Sequence, residues 1–223
     1  MLRLYEEEED IFLYLLPDLS SSMGQGDPPK WDHARQIAAA LAYIGLSGLD
    51  RVAVVPFADG VVDRLPPTRG RGQIFKVFNF LQKAQLGGET RLLDSLRTFV
   101  HQSKRRGLAV VISDFYDASG FEDALNYLRY HRFETFVIQV HDRRELEFGH
   151  LGDLTLVDCE TRATTQVTLN ARLVERYRQA HRRFCLRLEE FCTTHQMPYY
   201  LAPIQTPFDE LVLQVFRDGG LLR

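Results

Sequence analysis

The chain has 223 residues, 45% of them hydrophobic and 26% charged, a balance that excludes disordered, collagen-like and low-complexity classes. A formal net charge of -3 gives no global attraction to nucleic acid, which is not expected as a partner. No apolar run reaches the ~18 residues of a membrane span, and Glu6, Glu7, Glu8, Glu9 and Asp10 carry the wrong charge for a signal peptide, so no membrane span in this chain and a cytoplasmic location are expected.

An unbroken apolar run over 11–16 predicts a strand covered on both faces, as in the middle of a parallel sheet. It ends at Pro17 and Asp18, and a polar loop over 20–29 follows, with Ser20, Ser21, Ser22, Gly24 and Gly26. Residues 30–47 read as a helix whose Ala34, Ile37, Ala38, Leu41 and Ile44 face a core, bracketed at its end by Gly45 and Gly48. A second strand is predicted over 51–57, then a tight turn at Asp59 and Gly60. The turn leads into a short third strand over 61–65 that Pro66 and Pro67 stop, and this pair reads as a hairpin.

Ile74, Val77, Phe78 and Leu81 place a helix over 73–84, a loop follows over 86–90, and Leu92, Leu93, Leu96, Phe99 and Val100 mark the next helix. The apolar run 108–112 enters Ser113 and Asp114, repeating the first pattern of a buried strand that ends in an acid. A helix over 121–130 and a strand over 133–140 come next, with two short strands near an edge at 155–157 and 165–169. The longest helix spans 171–195, followed by a last strand at 199–203 and a last helix at 207–217 that carries Pro207 in its first turn. This alternation argues for a doubly wound α/β fold, a mostly parallel open sheet with helices on both faces and one antiparallel edge strand. Without repeats or linker-like stretches, a single domain is expected over 1–223. Within it, 1–10 is an acidic entry segment and 171–223 a C-terminal helical extension.

Cys159, Cys185 and Cys192 cannot all pair with one another and form no C-x-x-C, which argues for a reducing compartment and against a disulfide framework or structural zinc. On one helix, Cys185 and Cys192 would lie about 10 Å apart along the axis, too far to bridge. The seven histidines show no H-E-x-x-H and no pair at helical spacing, which speaks against zinc catalysis. Neither a G-x-S-x-G elbow nor a G-x-x-x-x-G-K-[ST] loop is present, so a serine hydrolase or an NTPase finds no nucleophile or phosphate cradle.

In open α/β sheets, ligands bind beyond the carboxyl ends of the strands where the strand order reverses. Asp18, Ser20 and Ser22 follow the first such strand at spacings of two, Asp114 follows the fourth, and Thr90 stands behind Gly87 and Gly88. Two carboxylates and three hydroxyls converging there would make an all-oxygen site suited to a hard cation, Mg²⁺ or Mn²⁺. Met23, Trp31, Glu89 and Phe115 are candidates for its rim.

These residues carry a resemblance. Asp18, Ser20 and Ser22 match the D-x-S-x-S core of the metal-ion-dependent adhesion site of von Willebrand factor type A domains, with Thr90 similar to that family's threonine loop and Asp114 to its second aspartate. The likeness extends over nearly the whole chain and is closer to a bacterial branch, domain-of-unknown-function family fifty-eight. It rests there on the acidic stretch after Tyr5, on Asp50, Arg51 and Val52, and on Arg105, Arg106, Gly107 and Leu108. The turn at Ser113, Asp114 and Phe115 and the segment Asp158, Cys159, Glu160 and Thr161 complete it. Three features depart from the family pattern. Pro17 removes a backbone donor at the strand end, which predicts a distorted ladder or an unpaired carbonyl. Glu89 is inserted into the usual glycine-glycine-threonine run, and the family's basic, tryptophan-containing upstream stretch falls outside the 223 residues, as expected of a fragment or a divergent short member.

The resemblance implies that Ser20 and Ser22 bind the cation directly, and that Thr90, Asp18 and Asp114 do so directly or through water. A partner's Asp or Glu would complete the shell. It also implies an adaptor for a MoxR-type AAA+ ATPase or its client, not an enzyme. Two alternatives come from other classes. A metal-dependent phosphatase or hydrolase would use Asp18 as nucleophile, but the second aspartate it needs two residues on is Ser20. An RNA-binding module would use the Arg-rich helix, with Arg172, Arg176, Arg178, Arg182, Arg183 and Arg187, whose ordinary role is a solvated face opposite a core stripe.

Overall fold

The structure, a computed structural model, describes residues 11–48, 50–149, 151–207 and 209–210. Leu13 and Leu15 of β1 (Phe12–Pro17) pack into one core and Tyr14 and Leu16 into another on the opposite side of the sheet, the period-two alternation of a strand whose faces are both apolar. β1 pairs in parallel with β2 (Arg51–Val54) and β4 (Leu108–Ser113). β5 (Glu134–His141) joins β4 and β8 (Tyr199–Pro203) joins β5, again in parallel. β3 (Leu65–Arg69) lies antiparallel to β2 at the edge. The order β3-β2-β1-β4-β5-β8 sends the chain outward from β1 in one direction and then back to β4 in the other. The crevice between the ends of β1 and β4 is therefore the switch point of this doubly wound sheet.

α1 (Lys30–Ser47) and α2 (Ile74–Lys83) cover one face through Ile37, Leu41, Val77 and Leu81. α3 (Leu92–Gln102), α4 (Glu122–Tyr130) and α5 (Ala171–Thr194) cover the other through Leu96, Phe99, Leu125, Leu128 and Leu188. Gly107 admits β4 to the sheet, because a Cβ there would overlap the Phe12 carbonyl oxygen.

Two local expectations are corrected. The third strand runs over Leu65–Arg69 and contains Pro66 and Pro67, while Val61 contributes only an isolated bridge to Phe57. An edge strand tolerates proline because one row of its backbone groups faces away from the sheet. The two short strands after β5 join no edge of the main sheet; β6 (Gly152–Val157) and β7 (Thr164–Leu169) pair with each other as a separate, mostly exposed antiparallel ribbon. Pro17 behaves as expected of a residue without an N–H: its carbonyl accepts from the Phe57 N–H at 3.1 Å and the Asp18 N–H donates to Ile112 O at 2.9 Å, so the ladder continues on both sides, while among the described residues no backbone N–H donates to Val55 O, the acceptor that residue 17 would have served. The acidic segment 1–10 and most of the helix expected over 207–217 lie outside the described residues.

Candidate metal centre

Asp18 leaves β1 pointing into the crevice and is fully buried. Its Oδ1 accepts from the Ser20 N–H at 2.8 Å and its Oδ2 from the Ser113 hydroxyl at 2.5 Å, so the ends of β1 and β4 are tied through one carboxylate. Ser20 and Ser22, both buried, bring their hydroxyl oxygens to 3.0 Å of each other. Adjacent ligands of an octahedral Mg²⁺ at 2.0–2.1 Å from the ion stand about 3 Å apart, so this pair fits two neighbouring positions of such an ion.

The Thr90 loop is fastened to the Ser20 loop by backbone. Gly87 N–H donates to Leu19 O at 2.8 Å, and Ser21 donates to Gly88 O from both its N–H and its hydroxyl, each at 3.1 Å. On its other side Asp117 accepts from the Leu92 N–H at 2.7 Å, capping α3 just after Thr90. Asp114, buried at the end of β4, accepts from the Tyr116 N–H at 3.1 Å. Between them Phe115 adopts φ 62, a left-handed conformation that a bulky residue holds only where its surroundings impose it. Its N–H donates to Ser113 Oγ at 2.9 Å, which fixes the turn that aims both Ser113 and Asp114 at Asp18.

Two features of the site escaped the sequence reading. Lys30 points inward from the first turn of α1 and its ammonium sits 2.7 Å from Asp114 Oδ2 and 2.6 Å from Glu145 Oε1. Burial alone would depress its pKa, but the two carboxylates more than reverse that and hold it above the usual lysine value. Glu160, at the tip of the β6–β7 ribbon, accepts from both donors of Thr90, the N–H at 3.0 Å and the hydroxyl at 2.8 Å. Asp158 holds that tip in shape by accepting from the N–H groups of Glu160 and Thr161, each at 2.9 Å.

The five predicted ligand positions thus lie on three segments joined by these bonds at one end of the sheet. The four rim candidates are placed differently. Met23 and Trp31 are buried in the core under α1, Phe115 is buried in the core on the other face, and Glu89 lies on the surface beside Arg91 at 3.4 Å.

Electrostatically the centre is rich in acid: Asp18 lies near enough to Asp114 to feel its charge, and Asp114 and Glu145 share the ammonium of Lys30. Burial, and secondly the charge of Asp114, push the Asp18 carboxyl up to about 7 against the hydrogen bonds from Ser113 and Ser20 that pull it down. The folded protein therefore keeps this proton up to about pH 7, whereas an unfolded aspartate releases it near ~3.9. The contribution of Asp18 to stability is greatest at low pH, falls as pH rises from about 4 to about 7, and is flat outside that window. In EDTA, the melting temperature of the wild type is expected to fall more steeply across this window than that of Asp18→Asn; equal slopes would contradict the burial argument.

Residues 1–184 match the family described as Protein of unknown function DUF58. The chain belongs to this family. Among relatives of the DUF58 chain, uncharacterised proteins of Mycobacterium bovis and Mycobacterium tuberculosis are each 25% identical over 178 residues, which cover 78% of this chain and 56% of theirs. It thus spans about half the length of the curated relatives it matches. Its fold is shared by the BatB protein of Bacteroides thetaiotaomicron (TM-score 0.59, 13% identity, 94% of this chain and 99% of that one). It is shared too by an aerotolerance-related membrane protein of Bacteroides fragilis (TM-score 0.56, 14% identity, 95% and 100%). Among the described residues of the DUF58 chain, no helix is long and apolar enough to cross a membrane.

Proposed function

We propose that this DUF58 chain is a non-enzymatic, metal-dependent protein-interaction module of the von Willebrand factor A type. Ser20 and Ser22 would hold Mg²⁺ or Mn²⁺ directly, and Thr90, Asp18 and Asp114 directly or through water. Such an ion supplies a positive centre only partly neutralised by uncharged hydroxyls, so its remaining position favours an anionic oxygen. The chain's own residues do the rest: Ser113 and the Ser20 N–H orient Asp18, and Lys30 orients Asp114.

The observation that carries this reading is the carboxylate of Glu160 on the two donors of Thr90. It is the chemical group expected from a partner, and it is already docked at one of the proposed ligands. The same position makes Glu160 an internal competitor of an external acid. The hydrolase alternative loses support because both oxygens of Asp18 accept hydrogen bonds and the side chain is fully buried, which leaves no exposed nucleophile.

The partner class we favour is a MoxR-type AAA+ ATPase or its client, presenting an Asp or Glu. Binding of a purified MoxR-type ATPase is expected in Mg²⁺ and lost in EDTA, and lost in Mg²⁺ for the Ser20→Ala/Ser22→Ala double variant. A complex that survives both changes would overturn the proposal.

A further inference from the structure

A second cluster of ligand-type side chains lies on the far side of Lys30. His141 ends β5, Glu145 sits in the 3-10 turn Arg143–Leu146, and His181 comes from α5; one ligand atom from each lies within 4.8 Å of the others. Cys185, one helical turn after His181, holds its Sγ 3.8 Å from Nδ1 and 3.9 Å from Nε2 of that ring. The His141 and His181 rings stand 4.8 Å apart between centroids. His141 is buried, and its Nδ1 has no hydrogen-bond partner among the described residues. An orphaned buried imidazole nitrogen beside a second imidazole, a carboxylate and a thiol needs a reason.

We propose that His141, Glu145, His181 and Cys185 form a four-coordinate Zn²⁺ site. The donor types are those zinc takes, with bond lengths of about 2.0–2.3 Å that put neighbouring ligand atoms roughly 3.3–3.7 Å apart. The thiol already stands close to that spacing from His181, and the ligand atoms of His141, Glu145 and His181, all within 4.8 Å of one another, reach it with side-chain movements of about 1 Å. Two neutral imidazoles, one carboxylate and one thiolate make the loaded site neutral overall, the thiol proton leaving to solvent as the metal binds.

The surroundings orient these ligands as the outer shell of a metal site does. Glu145 is held by the Lys30 ammonium on Oε1 and by the Tyr116 hydroxyl on Oε2 at 3.0 Å. Cys185 receives the Gln139 amide at 3.7 Å, and Gln139 is fixed in turn by the Tyr199 hydroxyl at 2.7 Å. Burial lowers the pKa of both His141 and His181, which keeps their nitrogen lone pairs free at neutral pH. A cavity of ≈ 380 Å³ lined by His141, His181, Cys185 and Leu201 supplies the entry path.

The site is independent of the Ser20 and Ser22 hydroxyls, so the two proposals fail separately. The full chain is titrated with Zn²⁺ in competition with a chromophoric chelator, and with Co²⁺ followed by visible absorption. Expected are one Zn²⁺ per chain, a loss of affinity of about 100-fold or more in His181→Ala, and a thiolate-to-cobalt charge-transfer band that Cys185→Ser removes. The Ser20→Ala/Ser22→Ala variant, its fold checked by circular dichroism, is expected to bind Zn²⁺ like the wild type. Absence of Zn²⁺ binding, equal affinity of wild type and His181→Ala, or a cobalt spectrum without the band would overturn the site as described.

Discussion

Lys30→Met is expected to lower the melting temperature of the metal-free protein by about 10 °C. The reason is that the Lys30 ammonium is buried between two carboxylates, at 2.7 Å from Asp114 and 2.6 Å from Glu145, with its own side chain 2% exposed. Methionine keeps the length and the apolar stem but leaves Asp114 buried, beside Asp18, with no counter-charge. Removing one partner of a buried pair costs about 3–5 kcal/mol, and a chain of this size moves its midpoint by roughly 2–4 °C per kcal/mol. Mg²⁺ bound at the Ser20 and Ser22 hydroxyls would supply the missing charge, so the loss in Mg²⁺ is expected to be smaller than the loss in EDTA. Thermal melts of the two proteins with and without Mg²⁺ check this. Coincident curves in EDTA would mean that the ammonium stabilises nothing.

Glu160→Gln is expected to raise affinity for the acidic partner on the order of tenfold, about 1.4 kcal/mol. A carboxylate tethered on the ribbon competes at an effective concentration of order mM, and glutamine removes its charge while keeping an acceptor for the Thr90 N–H. The gain should appear in Mg²⁺ and vanish in EDTA, because binding of the partner itself depends on the cation. Surface-bound MoxR-type ATPase with the chain in solution reads this directly. Unchanged or weaker binding in Mg²⁺ would show that Glu160 only latches the ribbon to the sheet.

What the sequence made legible was local. The run before Asp18 and the run before Asp114 announce buried strands ending in acids, and both acids stand at the switch point because parallel strands deliver their carboxyl ends to one edge. α1 and α5 were readable from their apolar spacing. The errors have physical causes as well. Pro66 and Pro67 look like strand breakers only to a reading that does not know the strand is an edge. Lys30 looks like a solvent residue because lysine is rarely buried, and its partners are 84 and 115 positions away. Glu160 reaches Thr90 across 70 positions through a ribbon with no pairing to the main sheet. His141 and His181 come from different elements, so no motif spacing in the sequence brings them together.

The proposed function stands or falls on whether the hydroxyls of Ser20 and Ser22, 3.0 Å apart at the crevice, hold a divalent ion. Titrating the full chain with Mn²⁺ and following the electron paramagnetic resonance of the free ion measures this without any partner. The wild type is expected to remove one Mn²⁺ per chain from solution, and the folded Ser20→Ala/Ser22→Ala variant to bind it at least about tenfold more weakly, one ligand bond or more having been lost. Mn²⁺ that stays free beside the wild type, or binds both proteins alike, would contradict it.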